Sequence, residues 1–291
     1  MMAVFTKLER KDIHEFIDSY EIGKLDDFAG IIEGIENTNY KLICDGIPYI
    51  LTIFEKRVRN EDLPFFMDLK IYLNQNKFKC PNPIQNNQNK IINSIKNKKA
   101  VIVSFIEGNQ IAIPTKKECF EVGKMIGNLH KITKNYNKKK GNSLNISELK
   151  KIFNKCQITN NKVFIELFDN LSSEIKFLEE SWPEKLPSGI NHADLFKDNI
   201  FFKDGIISGV IDFYFSCYHF FIYDLSIAIN EWCFQDNGNV FNKTYFKSII
   251  EGYSLSRKLE TNEIKAFNIV LRIATIRILV TRLYDYLFHQ S

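Results

Sequence analysis

The stretch Asn191-His192-Ala193-Asp194-Leu195-Phe196-Lys197-Asp198-Asn199 decides the fold of this chain, together with Ile211-Asp212-Phe213 a short distance later. His192, Asp194 and Asn199 follow the order His-x-Asp-x-x-x-x-Asn, and Asp212 comes at the end of an apolar run. This order is typical of a phosphoryl-transfer catalytic loop followed by a metal-binding aspartate. One such side chain alone is better explained as a loop cap or turn former, but the ordered set favours a catalytic site.

The segment between the two motifs predicts a hairpin that brings them together. Asp204-Gly205 is a strong two-residue turn signal, and an apolar run lies on each side of it. Counting outward from this turn places Asn199 opposite Val210. Asp212 is then a diagonal neighbour of Asn199, about 7–8 Å away between backbones, so both side chains can reach one ion.

The residue types suit separate chemical roles. Magnesium prefers a few oxygen ligands plus substrate phosphates, and Asn199 and Asp212 supply a carboxamide and a carboxylate. Asp194 lies upstream of this pair and is left to orient an acceptor hydroxyl and accept its proton. We expect His192 to hold the shape of the loop rather than to act chemically.

The nucleotide side is less explicit, because the chain has neither a GxGxxG loop nor a GxxxxGK[ST] P-loop. The segment Gly30–Tyr40, GIIEGIENTNY, lies between the first two predicted strands. Its backbone amides and small polar side chains can cover phosphates. A hairpin turn rich in Asn and Gly is the structural alternative.

Composition excludes several classes of protein. The 291 residues are 45% hydrophobic and 25% charged, which is ordinary for a folded protein. The net charge of +4 is spread along the chain, and the run Lys138–Lys140 is best explained as a solvated loop, so nucleic acid is not an expected partner. Six separated cysteines form no zinc pattern, and no apolar run reaches roughly 18 residues, so we expect reduced thiols and a cytoplasmic protein.

Periodicity predicts an α+β chain of two lobes, residues 1–106 and 107–291. The first lobe is expected to contain a short helix, a five-stranded antiparallel sheet and one helix inserted after the third strand. The second lobe is expected to be mainly helical, with the catalytic hairpin in it. Helices are predicted over residues 7–20, 61–74, 115–133, 160–181, 222–234, 243–256 and 262–287, and the last two strands of the sheet over residues 90–94 and 100–106.

These motifs resemble those of the aminoglycoside phosphotransferase-like kinases, over nearly the whole chain. Within that superfamily several stretches look like the homoserine kinases of threonine biosynthesis, and they occur in the same order. They are residues 28–40, 49–55 (YILTIFE), 63–69 (LPFFMDL), 192–215 and 223–234 (YDLSIAINEWCF). The resemblance implies a two-lobed protein-kinase-like fold that uses ATP and Mg²⁺.

The resemblance also implies roles for particular residues. Asp194 is the catalytic base, and Asn199 and Asp212 are the metal ligands. Asp224 is a structural aspartate that opens a helix behind the active site, where a carboxylate suits the helix dipole. The nucleotide contacts implied are Gly34, Asn37 and Thr38 in the phosphate-covering loop, and Ser104, Phe105 and Ile106 at a hinge that holds adenine.

One position departs from the family pattern. Many relatives present a Lys or Arg from the third strand to the phosphates, whereas YILTIFE has Thr52 there. Lys56 is four residues later and shares the face of Thr52 if the strand continues, so either it supplies the cation or it is a solvated lysine. The carboxylate partner of that cation is Glu61 or Asp62, and spacing does not choose between them.

The resemblance implies L-homoserine as the small-molecule substrate, whose ammonium and carboxylate require an acid and a cation nearby. Glu231, beside Trp232, and Arg277 or Arg282 are the candidates, with helix–helix ion pairs and a core tryptophan as the structural alternative. Two other functions stay open. One is a kinase of the same fold that acts on choline, methylthioribose or an aminoglycoside, and the other is a non-catalytic pseudokinase.

Overall fold

The computed structural model describes residues 5–32, 37–55, 58–158, 164–235 and 238–288. The chain divides into two units. The first contains the chain as far as Asn109, together with Phe201–Lys203 and Ser208–Tyr214. The second contains Gln110–Ile200, Asp204–Ile207 and Phe215–Ser291. The division therefore follows Asn109, and two short later segments are grouped with the first unit.

A five-stranded antiparallel sheet forms the centre of the first unit, in the order β1-β2-β3-β5-β4. The left-handed residues Asp45 and Gly46, with φ of 44° and 76°, make the tight turn between the second and third strands. The predicted α+β fold, with a helix inserted after the third strand, is confirmed. The elements are α1 (Arg10–Ile17), β1 (Leu25–Ile31), β2 (Thr38–Cys44), β3 (Ile47–Ile53), α2 (Leu63–Gln75), β4 (Asn93–Ile95) and β5 (Lys98–Ser104).

Helices cover both faces of this sheet. Ala100 and Ile102 of β5 belong to an apolar cluster that includes Ile13 of α1, whereas Val101 and Val103 belong to one that includes Phe66 of α2. Because side chains alternate along a strand, β5 sends successive residues into two separate cores. The face that carries Val101 is also the face of Thr52, so the polar residues discussed below lie on the α2 side.

The second unit is mainly helical, as predicted. Its helices are α3 (Lys116–Thr133), α4 (Ile146–Ile158), α5 (Ile165–Glu180), α6 (Phe221–Trp232), α7 (Lys243–Ser256) and α8 (Thr261–Phe288). The remaining strands are β6 (Ser188–Asn191), β7 (Ile200–Lys203), β8 (Ile206–Val210), β9 (Cys217–Phe220), β10 (Phe234–Gln235) and β11 (Val240–Phe241). Within the described ranges, none of the helices combines the length and apolar character needed to cross a membrane.

Helix α4 was missed by the sequence reasoning. Its apolar residues, Leu149, Phe153 and Cys156, are buried at a spacing of four and three residues, but lysines and asparagines dilute the pattern. The helix predicted over residues 160–181 begins at Ile165, and residues 159–163 lie outside the described part of the chain.

Helices α3 and α7 pack at the closest distance that glycine allows. A Cβ atom on Gly123 would lie 2.0 Å from the carbonyl oxygen of Ile249, and one on Gly252 would lie 2.0 Å from that of Phe120. These neighbours are backbone atoms of well-formed helices, which begin at the caps Thr115 and Asn242. The contact therefore depends on the absence of a side chain at Gly123 and at Gly252, which lets the two helix backbones approach each other.

We expect Gly252→Ala to lower the free energy of unfolding by about 2–3 kcal/mol, because the added methyl group forces the two helices apart. Alanine is the better helix former by about 1 kcal/mol, so a destabilised variant shows that the steric clash outweighs propensity. Gly141→Ala is the matched control, since nothing lies within 4 Å of a Cβ there, and it should change stability by less than about 0.5 kcal/mol. Urea unfolding of both variants measures the difference, and equal stability of the two would contradict the packing described.

Candidate active site

The catalytic loop lies between β6 and β7, and the predicted hairpin is present but shorter than expected. Strands β7 and β8 pair around Asp204 and Gly205, whose φ values are 54° and 72°. Asn199 ends a 3₁₀ turn rather than a strand, and Asp212 follows β8 with φ of 59°. Neither residue continues the ladder, because both backbones leave the extended conformation. Counting strand positions outward to this pair was therefore wrong in detail.

Asp194 is held by two side chains from the second unit. Its Oδ1 accepts a hydrogen bond from the guanidinium of Arg277 at 2.9 Å, and its Oδ2 accepts one from the amide nitrogen of Asn199 at 3.1 Å. The same nitrogen donates to the Asp194 carbonyl oxygen at 2.8 Å. The Asp194 side chain is 14% exposed, so a buried cation and a buried amide fix a carboxylate that still reaches the surface.

Ala193, the residue before Asp194, is held at both of its backbone polar groups. Ala193 is left-handed, with φ of 62°, which is unfavourable for a residue that has a Cβ atom. The Asp224 carboxylate accepts from the amides of His192 and Ala193 at 2.7 and 2.6 Å. The Ala193 carbonyl oxygen accepts from Arg277. Asp224, predicted as a structural residue, is fully buried in the first turn of α6.

Two histidines complete the support of the loop. His192 is buried, and its Nδ1 accepts a hydrogen bond from the Asp194 amide at 3.2 Å, which agrees with its predicted role in loop shape. His130 of α3 lies behind it, with Nε2 at 3.2 Å from Asp224 and Nδ1 at 2.9 Å from the Tyr253 hydroxyl. Burial lowers the pKa of His130 more than the neighbouring Asp224 raises it, so the ring is neutral at pH 7. A neutral ring donates to Asp224 through Nε2 and accepts from Tyr253 through Nδ1.

The donor set of the loop fits a divalent cation. Both side-chain hydrogen bonds of Asn199 use its amide nitrogen, so its amide oxygen is directed elsewhere and is the atom that can bind a metal. Asp212, the other predicted ligand, carries a carboxylate and is grouped with the first unit. Within the described ranges, no group of three or more His, Cys, Asp or Glu side chains could hold a metal alone.

A buried lysine that the sequence reasoning missed lies in the first unit. Lys70 of α2 is 3% exposed, with its Nζ at 3.3 Å from the Tyr214 hydroxyl and 4.6 Å from the centre of that ring. Burial lowers the pKa of Lys70 to about 8, while the charges of Cys80 and Asp212 act in the opposite direction. The position follows Leu63, Phe66 and Met67 on the buried stripe of the helix, and a lysine within such a stripe is the signal that could have found it.

Thr52 stands on the same side of the sheet. Its side chain is buried beside Tyr214, and its hydroxyl donates to Asn39 at 2.8 Å. Lys56, the predicted source of the phosphate-binding cation, lies outside the described residues, as does Gly34. The described part of the first unit therefore places Lys70, from the helix, in the neighbourhood where the strand has a threonine.

The remaining predicted nucleotide residues differ in exposure. Thr38 is fully buried, its hydroxyl donates to Glu55 at 2.7 Å and accepts from the amides of Phe5 and Thr6 at 3.0 Å, so it fastens the N-terminal segment to β2. Asn37 is also buried, and its Oδ1 accepts from the Glu55 amide. The other three are at the end of the sheet. Ser104 closes β5 and binds the Asn82 amide, and Phe105 and Ile106 follow it outside the strand.

The four predicted acceptor-binding residues separate into two groups. Trp232 is fully buried and donates from Nε1 to the Leu195 carbonyl oxygen at 3.1 Å, so the structure places it in the core, and Arg277 is buried against the loop. Glu231 lies 3.6 Å from Lys197, and burial raises its pKa. Arg282 is exposed, and its charge lowers the pKa of Asp198 against a larger upward effect of burial. Glu231, Arg282 and Asp198 therefore remain near the surface around the loop.

Comparison with known proteins gives one family. The model of the "Phosphotransferase enzyme family" matches residues 27–253. A homoserine kinase of Bartonella tribocorum is 40% identical over 285 residues, which cover 98% of this chain and 89% of the relative. A homoserine kinase of Sinorhizobium medicae is 37% identical over 286 residues, which cover 98% and 87%.

Solved structures of low sequence identity share the fold. Amicoumacin kinase, in complex with AMP-PNP, Ca²⁺ and Ami, has a TM-score of 0.75 at 17% identity and covers 98% of this chain and 89% of its own. Spectinomycin phosphotransferase, in complex with ADP and spectinomycin, has a TM-score of 0.69 at 14% identity and covers 97% and 95%. At these identities the likeness concerns the fold alone.

We expect Asp224→Asn to lower the free energy of unfolding by about 2–4 kcal/mol, because an amide cannot accept from two backbone amides and His130 as a carboxylate does. Hydrogen exchange should also accelerate at the amides of His192 and Ala193, which lose their acceptor. Asp169→Asn is the control, since Asp169 is exposed and its replacement should change stability by less than about 0.5 kcal/mol. Unchanged exchange in the Asp224 variant would show that the carboxylate does not hold the loop.

Proposed function

Because this chain belongs to the phosphotransferase enzyme family, we propose that it is a homoserine kinase. It transfers the γ-phosphoryl group of ATP to the side-chain hydroxyl of L-homoserine and yields O-phospho-L-homoserine, a step of threonine biosynthesis. One observation carries the proposal beyond sequence similarity. Asp194 is a partly exposed carboxylate whose orientation is fixed by Arg277 and Asn199, as a base that must meet a hydroxyl group requires.

Asp194 acts on the acceptor hydroxyl. An ionised carboxylate has two oxygens and about four acceptor positions, of which the structure shows one used on each oxygen. The remaining positions can accept the hydroxyl hydrogen, orient the nucleophilic oxygen and take its proton as the new bond to phosphorus forms. His192 acts indirectly, since its Nδ1 is used by the Asp194 amide.

The cofactors are ATP and a divalent metal ion, for which we propose Mg²⁺. The ion neutralises charge on the phosphates when it is bound. Asn199 would hold it through its amide oxygen and Asp212 through its carboxylate. We propose that Gly34 and Asn37 contribute to the cover over the phosphates, and that the backbone of Ser104, Phe105 and Ile106 holds the adenine.

The acceptor pocket needs an acid for the ammonium group and a cation for the carboxylate. We propose Arg282 for the carboxylate, because it is exposed and its charge is felt by Asp198, whereas Arg277 is engaged in the loop. Glu231 and Asp198 are the acids beside it. Trp232 supports this region from the core through its bond to Leu195. The expected partners are small molecules alone, and the cytoplasm stays a prediction from the sequence.

We expect the purified protein to convert L-homoserine and ATP to O-phospho-L-homoserine and ADP in the presence of Mg²⁺. Phosphorus NMR and mass spectrometry of the product identify reaction and acceptor together. Choline, methylthioribose and an aminoglycoside serve as competing acceptors, and each should react at least about 100-fold more slowly, because a pocket built for ammonium and carboxylate groups leaves charges unpaired with the wrong acceptor. Turnover with one of these acceptors and none with homoserine would reject homoserine as the substrate but leave the proposed kinase activity in place.

We expect Asp194→Ala to lower kcat by about 10³-fold or more, since it removes the base that orients and deprotonates the hydroxyl. The dissociation constant for Mg·AMP-PNP should stay within about threefold of the wild-type value, because Asp194 does not contact nucleotide in the proposed arrangement. Asp169→Asn again serves as control and should keep full turnover. A wild-type protein that binds nucleotide but phosphorylates no acceptor would favour the pseudokinase alternative.

A further inference from the structure

Arg277 of α8 contacts both the catalytic carboxylate and the backbone of Ala193, the left-handed residue before it. Its guanidinium binds Asp194 Oδ1 at 2.9 Å and the carbonyl oxygen of Ala193, and it lies 5.1 Å from the centre of the Phe215 ring. The Arg277 side chain is 6% exposed. We infer that Arg277 is a positioning residue for the catalytic base, which sets the direction in which Asp194 meets the acceptor hydroxyl. This inference rests on the proposed kinase function.

The geometry supports positioning because the two contacts are coupled. The Ala193 carbonyl belongs to the peptide that joins Ala193 to Asp194, so holding this oxygen fixes the backbone from which the Asp194 side chain extends. The second nitrogen of the same guanidinium then fixes the carboxylate itself. Guanidinium is a planar, rigid group of donors, so backbone and side chain are held in one fixed relation. A lysine in this position presents a single nitrogen and cannot impose that relation.

The surroundings of Arg277 oppose a purely electrostatic or surface role. A buried guanidinium requires polar partners, and Arg277 has the adjacent residues Ala193 and Asp194 of the catalytic loop. The buried Tyr223 of α6 also interacts with its side chain. Arg272, five residues earlier on the same helix, is different, since it is 38% exposed and pairs with Glu174 of α5. On helix α8, Arg272 therefore joins two helices, whereas Arg277 holds the catalytic loop.

The alternative role, in which Arg277 binds the carboxylate of the acceptor, is less compatible with the contacts. Both terminal nitrogens are already used, one by Ala193 and one by Asp194. The guanidinium has further N–H donors, but the Arg277 side chain is 6% exposed, so an acceptor carboxylate has little access to them. The two roles differ in kinetics, because a positioning residue affects kcat and a binding residue affects the KM for the acceptor.

The test compares Arg277→Met, Arg277→Lys and Arg272→Met with the wild-type protein. We expect Arg277→Met to lower kcat by about 100-fold, the effect of a misplacement of about 1 Å at the reacting group, while the KM for homoserine stays within about threefold. Arg277→Lys should recover part of the loss, and Arg272→Met should keep kcat within about twofold. A wild-type kcat in Arg277→Met, or a KM raised more than about 30-fold with kcat unchanged, would overturn the inference.

Folding is checked separately. If Arg277→Met does not fold, the kcat and KM of Arg277→Lys decide by the same criteria. The melting temperatures of Arg277→Lys in the wild-type and Asp194→Ala backgrounds form a second test. Arg277→Lys should lower the melting temperature less in the Asp194→Ala background than in the wild-type background. Equal decreases in the two backgrounds would contradict a coupling between the two residues.

Failure of the proposed function gives a different result. A wild-type protein without turnover on homoserine rejects that acceptor, whereas the ratio of variant to wild type on any acceptor that reacts tests Arg277. Without any reacting acceptor, the melting experiment still tests the coupling.

Discussion

The structure of the active site depends on one strained residue, Ala193, and the two groups that hold its backbone. Ala193 is left-handed, its amide is bound by the Asp224 carboxylate, and its carbonyl oxygen is bound by Arg277. A non-glycine residue keeps this conformation only where its surroundings compensate the cost of about 1–3 kcal/mol. Charged partners on both sides of this residue provide that compensation, and the direction of Asp194 follows from it.

The support of this residue continues through the second unit in a chain of contacts. Asp224 binds His130, and His130 binds the hydroxyl of Tyr253, which also accepts a hydrogen bond from Arg257 at 2.7 Å. Tyr253 follows Gly252, the residue that allows α7 to lie against α3. The close packing of two helices, the neutral state of a histidine and the geometry of the catalytic loop are therefore one connected arrangement. The residues of this arrangement are far apart in sequence, but together they fix the position of the Asp194 carboxylate.

What the sequence predicted correctly is local in the chain. The Asp204-Gly205 turn, the spacing from His192 to Asn199 and the five strands are each determined by residues within a few positions of one another. Contacts across long separations could not be read in the same way. Arg277 lies 83 positions from Asp194, and nothing in the periodicity of α8 distinguishes it from Arg272. Both arginines suit the helix equally, and only the packed structure shows which of them reaches the loop.

The phosphate-binding cation expected near the third strand stays a prediction, because Lys56 lies outside the described residues. The missing cation of β3 led us to expect a lysine further along the same strand. The described structure shows a further lysine, Lys70 on α2, whose Nζ lies 3.3 Å from the Tyr214 hydroxyl. Burial lowers the pKa of Lys70 to about 8, and the charge of Asp212 acts in the opposite direction. Burial and charge therefore oppose each other at this lysine, and because Tyr214 is 144 positions away in the chain, spacing along the sequence could not show the contact.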